Sequence, residues 1–225
     1  LDFAFLRPVE WFAPWGFTIS TLIIFALSLF APSVLIETVT KQKTRITAEI
    51  DIARHIQSEI LPKILQAPGL EIETFMQPTD EVGGDYYDIF TKDDYTWILL
   101  GDVTGHGLGS GLVMFMVQSI IATLLHTNKG LSPKELNFLT NQILYQNLQR
   151  LSEQRPMTIA TICFNKNLEF SVSGCHDNIY IYRAETKQVE TITLNHFPIG
   201  LGFTDMIDQN SFLESTFKLS QNDLL

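Results

Sequence analysis

From residue 83 to residue 109 the chain reads GGDYYDIFTKDDYTWILLGDVTGHGLG, with Asp85 directly after a glycine pair and Asp102 inside a second glycine-studded turn. The stretches 86–90 and 95–101 carry the aromatic and β-branched residues of strands, and Thr91, Lys92, Asp93 and Asp94 between them read as a turn. Paired as a hairpin about that turn, the strands bring their free ends together, and Asp85 and Asp102 with them. Carboxylates that close repel unless a proton or a cation lies between them. Hard divalent cations such as Mg²⁺ or Mn²⁺ take oxygen ligands of this kind. Gly83, Gly84, Gly101, Gly105 and Gly107 would let the backbone bring its carbonyls and amides up to an ion or a phosphate. The same residues also suit an ordinary strand-to-helix turn capped by Asp102, and spacing alone leaves both readings open.

The elements that must position these aspartates follow from periodicity. Strand-like runs are expected at 70–77, 86–90, 95–103, 157–164, 168–174, 178–184 and 189–194, separated by short polar turns. Two helices interrupt them. The first is the uncharged run 107–125, which contains three glycines, Ser110, Gln118, Ser119 and Thr123 and reads as a helix buried in a soluble core rather than in lipid. The second starts at Ser132, Pro133 and Glu135, which supply an N-cap, a first-turn proline and a capping-box acid, and it runs to about Glu153. Strands in bulk with two adjacent helices indicate an α+β (mixed α/β) domain, largely antiparallel, with the helices packed outside the sheet.

The N-terminal part is of another kind. Residues 11–36 carry no charge, and 16–36 match the roughly 20 apolar residues that cross a bilayer, longer than a signal-peptide core and followed at once by a polar helix. Lys41, Lys43 and Arg45 follow the span, whereas Arg7 and Glu10 nearly balance before it, which puts the remainder of the chain on the cytoplasmic side of the inner membrane. The expected divisions are 1–15, the end of an upstream region; 16–36, a transmembrane helix; 37–66, a connecting helix; and 67–225, the soluble domain. In the connecting helix Val39, Ile46, Ala53 and Ile60 recur every seven residues, Ile50 and Ile64 fill a second seam, and Lys43 and Gln57 interrupt it. Two such helices could pair as a homodimer through residues 39–64; the same spacing suits one amphipathic helix lying on its own domain.

A net charge of −10 excludes a nucleic-acid partner, because phosphate binding needs a basic surface. Cys163 and Cys175 fall in or beside strands without metal-ligand spacing and read as reduced thiols.

Five blocks, ARHIQSEILP (53–62), GGDYYD (83–88), GDVTGHGLGSGLVM (101–114), SGCHDNIYIY (173–182) and FPIGLG (197–202), stand in the order seen in the SpoIIE/RsbU-type branch of the PPM metal-dependent serine/threonine phosphatases, which the chain resembles from Ile52 to Leu225. The two glycine-aspartate blocks are the most specific part. The resemblance implies a PPM-like β-sandwich flanked by helices. It also implies removal of phosphate from serine or threonine of a protein partner, typically an anti-sigma-factor antagonist of the STAS type, in bacterial signal transduction.

Such enzymes use two Mn²⁺ or Mg²⁺ ions to activate the attacking water. By the resemblance Asp85 and Asp102 are the first two metal aspartates, with catalysis resting on them, and the Val103 carbonyl is a backbone ligand. Two further metal aspartates of the family pattern would lie beyond Leu225, so residues 1–225 alone are expected to bind Mn²⁺ weakly and to be inactive. Where the family writes Ala-Gly-His this chain has Gly174, Cys175 and His176. His106 and His176 suit either a proton donor or phosphate contact, or a satisfied structural role.

Two other functions compete. One is a catalytically silent domain that binds and sequesters its phosphoprotein. The other is a histidine-kinase-like helix with His55 as phosphoacceptor, against which stand the missing acidic residue after His55 and the lack of ATP-binding glycine boxes.

Overall fold

A computed structural model describes residues 13–62, 66–76, 82–202 and 211–225. The first helix, α1 (Ala13–Ile60), covers residues 16–36 expected as a span and residues 37–60 of the expected connecting segment, and Pro32 lies inside it. Two compact units divide it, the first ending at Asp51 and the second beginning at Ile52.

In the first unit Phe17, Leu22, Phe25 and Phe30 are all exposed, the all-round apolar surface expected of a helix surrounded by lipid or by a large core. Its hydroxyls turn back on the helix: Thr21 donates to the Phe17 carbonyl at 2.7 Å, Ser28 to Phe25 at 2.7 Å and Thr38 to Val34 at 2.9 Å. Polar side chains in the apolar stretch thus have internal partners, as a low-dielectric surrounding requires. Farther along, Glu37 pairs with Lys41 and Arg45 with Glu49, each four residues apart.

The second unit is built on an antiparallel sheet in the order β1 (Asp85–Lys92), β2 (Tyr95–Val103), β3 (Met157–Asn165), β4 (Glu169–Cys175) and β7 (Ser215–Lys218). A separate pair, β5 (Ile179–Arg183) and β6 (Gln188–Ile192), forms a second sheet. The central strand β3 is buried along nearly its whole length, which explains why MTIATICF shows no clean alternation. Its odd positions, Met157 and Ile159, join Leu99, Val103, Met114, Val117, Ile121, Leu136 and Leu144 in a core under α2 (Leu108–Thr127) and α3 (Pro133–Leu151). Its even positions, Ala160, Ile162 and Phe164, join Phe170, Val172, Ile179, Ile181 and Leu219 in a second core between the two sheets.

The apolar run expected to form a soluble core helix is α2, with Ser110, Gly111, Val113, Met114, Val117, Ile121 and Leu125 buried. In α3 the Ser132 hydroxyl accepts from the Glu135 amide and the Glu135 carboxylate accepts from the Ser132 amide at 2.8 Å, the reciprocal box expected there. One strand expectation fails. Residues 71–76 form no strand, and only an isolated bridge joins Ala67 to Leu70. Leu70 and Ile72 do pack against the inter-sheet core, so their alternation records burial of side chains without a main-chain partner, and Phe75 is 90% exposed. Gln77 lies outside the described residues.

Candidate metal centre

The hairpin register decides where the aspartates go. With Asp93 in the left-handed region at φ 55°, the turn joins Lys92 to Tyr95 as cross-strand partners, and counting back seven rungs sets Asp85 directly opposite Asp102. Directly opposed residues hold their Cβ atoms about 4.5–5.5 Å apart. Both side chains are exposed at the open end of the hairpin. The Asp102 carboxyl titrates above the ordinary carboxylate range because it is partly desolvated and because the Asp85 charge faces it; the nearby His176 and a hydrogen bond from the Val103 backbone pull the other way. A cation between the two carboxylates would relieve that repulsion.

Val103 follows Asp102 with its side chain sunk in the helix-side core. Its amide donates to the Gly84 carbonyl at 3.2 Å, and a Cβ at Gly84 would stand 2.7 Å from the Val103 carbonyl oxygen and 3.1 Å from Asp102 Oδ1. Glycine at 84 therefore lets the two strands approach this closely, where any side chain would press on the Val103 carbonyl and the Asp102 carboxylate. Two carboxylates and one carbonyl on adjacent residues form the donor set that Mg²⁺ or Mn²⁺ prefers. Among the described residues no group of three or more His, Cys, Asp or Glu side chains gathers to hold a metal.

The histidines separate. His176 Nδ1 lies 3.0 Å from the Thr158 hydroxyl, and that hydroxyl also donates to the Asp102 carbonyl at 3.3 Å, so His176 belongs to the aspartate end of the sheet. His106 is exposed in the loop before α2, and His55 is exposed on α1. Gly174, at φ 136°, passes so close to the Ile159 carbonyl that a Cβ there would overlap it.

Three residues near the site were not expected to belong to it. Gln57, at the end of α1, is buried and bonds the backbone of Gly83. Arg155 lies over the loop, its guanidinium 2.8–3.2 Å from where Cβ atoms at Gly105 and Gly109 would stand, and its Nε donates to Glu153. Asp88 is buried beneath the hairpin, accepting from the Ile89 amide at 2.8 Å and the Tyr86 hydroxyl at 3.2 Å. Burial pushes its carboxyl up, against those hydrogen bonds and one from Gln118. Two left a trace in the sequence, Asp88 as the last letter of GGDYYD and Gln57 within ARHIQSEILP, at a seam position; Arg155 left none.

The family model of Stage II sporulation protein E (SpoIIE) matches residues 92–225, more than half of the chain. Protein IcfG of Synechocystis is 35% identical over 77 residues, covering 32% of this chain and 12% of that protein. The phosphoserine phosphatase RsbP of Bacillus subtilis is 26% identical over 108 residues, covering 48% of this chain and 26% of that protein. The chain thus matches only a minor part of the length of either relative. Among solved structures, the PP2C domain of SiaA from Pseudomonas aeruginosa superposes with a TM-score of 0.60 at 17% identity, over 81% of this chain and 70% of that one. The RsbU and RsbW domains of a Mycobacterium tuberculosis protein superpose at 0.51 and 17% identity, over 63% of this chain and 37% of that one. At such identities the likeness concerns the fold.

Proposed function

Because the chain belongs to the SpoIIE family, whose fold it shares with PP2C-type phosphatase domains, we propose that it is a membrane-tethered signalling phosphatase removing phosphate from serine or threonine of a protein partner. The observation that carries this reading is the pairing of Asp85 with Asp102 across the hairpin, beside a Val103 carbonyl that a side chain at position 84 would press upon. Asp85, Asp102 and the Val103 carbonyl would hold divalent ions, Mn²⁺ or Mg²⁺, which would supply Lewis acidity for activating water and offsetting phosphoryl charge. The chain's own part is to fix two carboxylates at one rung, to keep the space beside Val103 free of side chains, and to set Arg155 over the glycine loop as a cation for the incoming phosphate.

The partner is proposed by kinship: a phosphoserine protein, in line with the name of the phosphoserine phosphatase relative, and by the family resemblance a STAS-type anti-sigma-factor antagonist. Residues 16–36 are proposed as the tether in the inner membrane, 37–66 as the connection with a dimer seam at 39–64, and 67–225 as the cytoplasmic catalytic domain.

The test is Asp85→Asn and Asp102→Asn in the natural full-length protein, with Mn²⁺ binding followed by the electron paramagnetic resonance of the free ion and phosphate release from a phosphoserine protein followed in parallel. Both variants are expected to lose Mn²⁺ binding and activity while keeping wild-type circular dichroism. Phosphoprotein bound without release of phosphate by the wild type would make the domain a sequestering binder instead.

A further inference from the structure

The segment 82–85 leads the chain into Asp85, and it is held from three sides. Val82 is buried, and its side chain fills the space where a Cβ at Gly111 of α2 would stand. Gly84 lies against Val103, as described. Gly83 is held by Gln57: Nε2 donates to the Gly83 carbonyl at 3.0 Å, and the Gly83 amide donates to Oε1 at 3.1 Å. Gln57 is only 5% exposed. The next residues of its chain are anchored too, since the Leu61 amide donates to the Gln57 carbonyl at 3.2 Å and Leu61 is part of the helix-side core.

A primary amide offers a donor and an acceptor in one plane, and here it meets the donor and acceptor of a single backbone residue. The match is that of a strand partner, supplied by a helix. A glycine pair before a ligand would otherwise be free to sample many conformations, because glycine loses the most backbone entropy on ordering. The Gln57 amide removes that freedom at the residue two before Asp85. At heptad spacing Gln57 reads as a polar interruption of a dimer seam; in the folded chain it faces Gly83 instead.

We propose that Gln57 is a positioning residue of the metal centre: by clamping Gly83 it holds Gly84 against the Val103 carbonyl and Asp85 opposite Asp102, so that the ligands are pre-arranged for a divalent cation. This rests on the metal reading of Asp85 and Asp102. Pre-arrangement reduces the ordering that binding must otherwise impose, so its loss shows as weaker binding rather than as altered chemistry in the filled site.

In the natural full-length protein, the experiment compares Gln57→Leu and Gln57→Glu with wild type and with Ser58→Ala, the Ser58 hydroxyl donating to the His55 carbonyl within the same helix turn. Free Mn²⁺ is titrated by electron paramagnetic resonance at pH 8, with thermal unfolding and amide exchange of residues 82–85 measured beside it. Gln57→Glu is the sharper variant. It adds a negative charge near the site, which by attraction alone would tighten Mn²⁺ binding, whereas loss of the donor to the Gly83 carbonyl loosens it.

The expected result is about a tenfold rise in the Mn²⁺ dissociation constant in both Gln57 variants, faster exchange at 82–85, and no change in Ser58→Ala. Phosphatase activity should return to near wild type at saturating Mn²⁺, a rescue that general unfolding would not permit. Unchanged or tighter Mn²⁺ binding in Gln57→Glu, while Asp85→Asn loses binding, overturns the role of Gln57 and leaves the metal reading standing. Unchanged binding in Asp85→Asn and Asp102→Asn overturns both.

Discussion

Gly84 and Gly83 are neighbours of the same type, and the structure predicts opposite outcomes for the same substitution. In Gly84→Ala the new methyl would stand 2.7 Å from the Val103 carbonyl oxygen, about 0.7 Å short of the 3.4 Å at which ordinary contact begins, and 3.1 Å from both Asp102 Oδ1 and Val103 Cβ. None of those atoms is the loose end of a long side chain; Val103 is anchored in the core and Asp102 is fixed by the hairpin register. Something in the backbone must move. Overpacking of this kind costs about 1–3 kcal/mol, and at about 2–4 °C per kcal/mol for a domain of this size the midpoint of thermal unfolding should fall by several degrees.

The displaced carbonyl should raise the Mn²⁺ dissociation constant at least about tenfold, equivalent to about 1.4 kcal/mol. In Gly83→Ala the nearest atoms to the methyl would be the Asp85 amide at 3.7 Å, Gln57 Nε2 at 3.8 Å and Asp85 Oδ2 at 4.0 Å, all ordinary contacts. That variant should unfold and bind Mn²⁺ like wild type. Differential scanning calorimetry and the Mn²⁺ titration decide the matter. Equal weakening of Mn²⁺ binding by both substitutions, or wild-type binding by a folded Gly84→Ala, would refute the role given to the space beside Val103.

Three further outcomes are expected. The chain should sediment with membranes and resist alkaline extraction, while a form beginning at Glu37 should be soluble; recovery of the whole chain in the soluble fraction would remove the tether. Val39, Ile46 and Ile60 are exposed on α1, so polar replacement of Ile50 and Ile60 together should yield monomers by light scattering, and an unchanged dimer mass would rule out that seam. Asp223 accepts from the Ser220 and Ala184 amides and from Arg183, which hold its carboxyl down at about 2. A folded-state pKa below the unfolded one stabilises the fold above the unfolded value, and the contribution is lost as pH falls through the folded value. The stability difference between wild type and Asp223→Asn should accordingly be full above about pH 5 and fade between about pH 4 and 2; a difference that grows on acidification would contradict the assignment.

What could be read from the sequence was whatever the chain encodes locally. The Ser132–Glu135 box is written within four residues, so the start of α3 was legible. The turn at Asp93 and the strand runs on either side are contiguous, and their register alone carries Asp85 to Asp102. The uncharged run at 16–36 is set by composition.

Tertiary structure decided what depends on partners distant in sequence. Gln57 at heptad spacing looks like a seam residue, and only packing across 26 positions turns it toward Gly83. Residues 70–76 alternate like a strand, yet burial of Leu70 and Ile72 without a main-chain partner satisfies the same pattern. Arg155 reaches the glycine loop because β2 and β3 pair from Tyr95–Asn165 down to Val103–Met157, with the Thr104 amide bonded to the Pro156 carbonyl just beyond. Side-chain period reports which faces are buried, but not against what; that choice belongs to the sum of contacts made when the sheet closes under its helices.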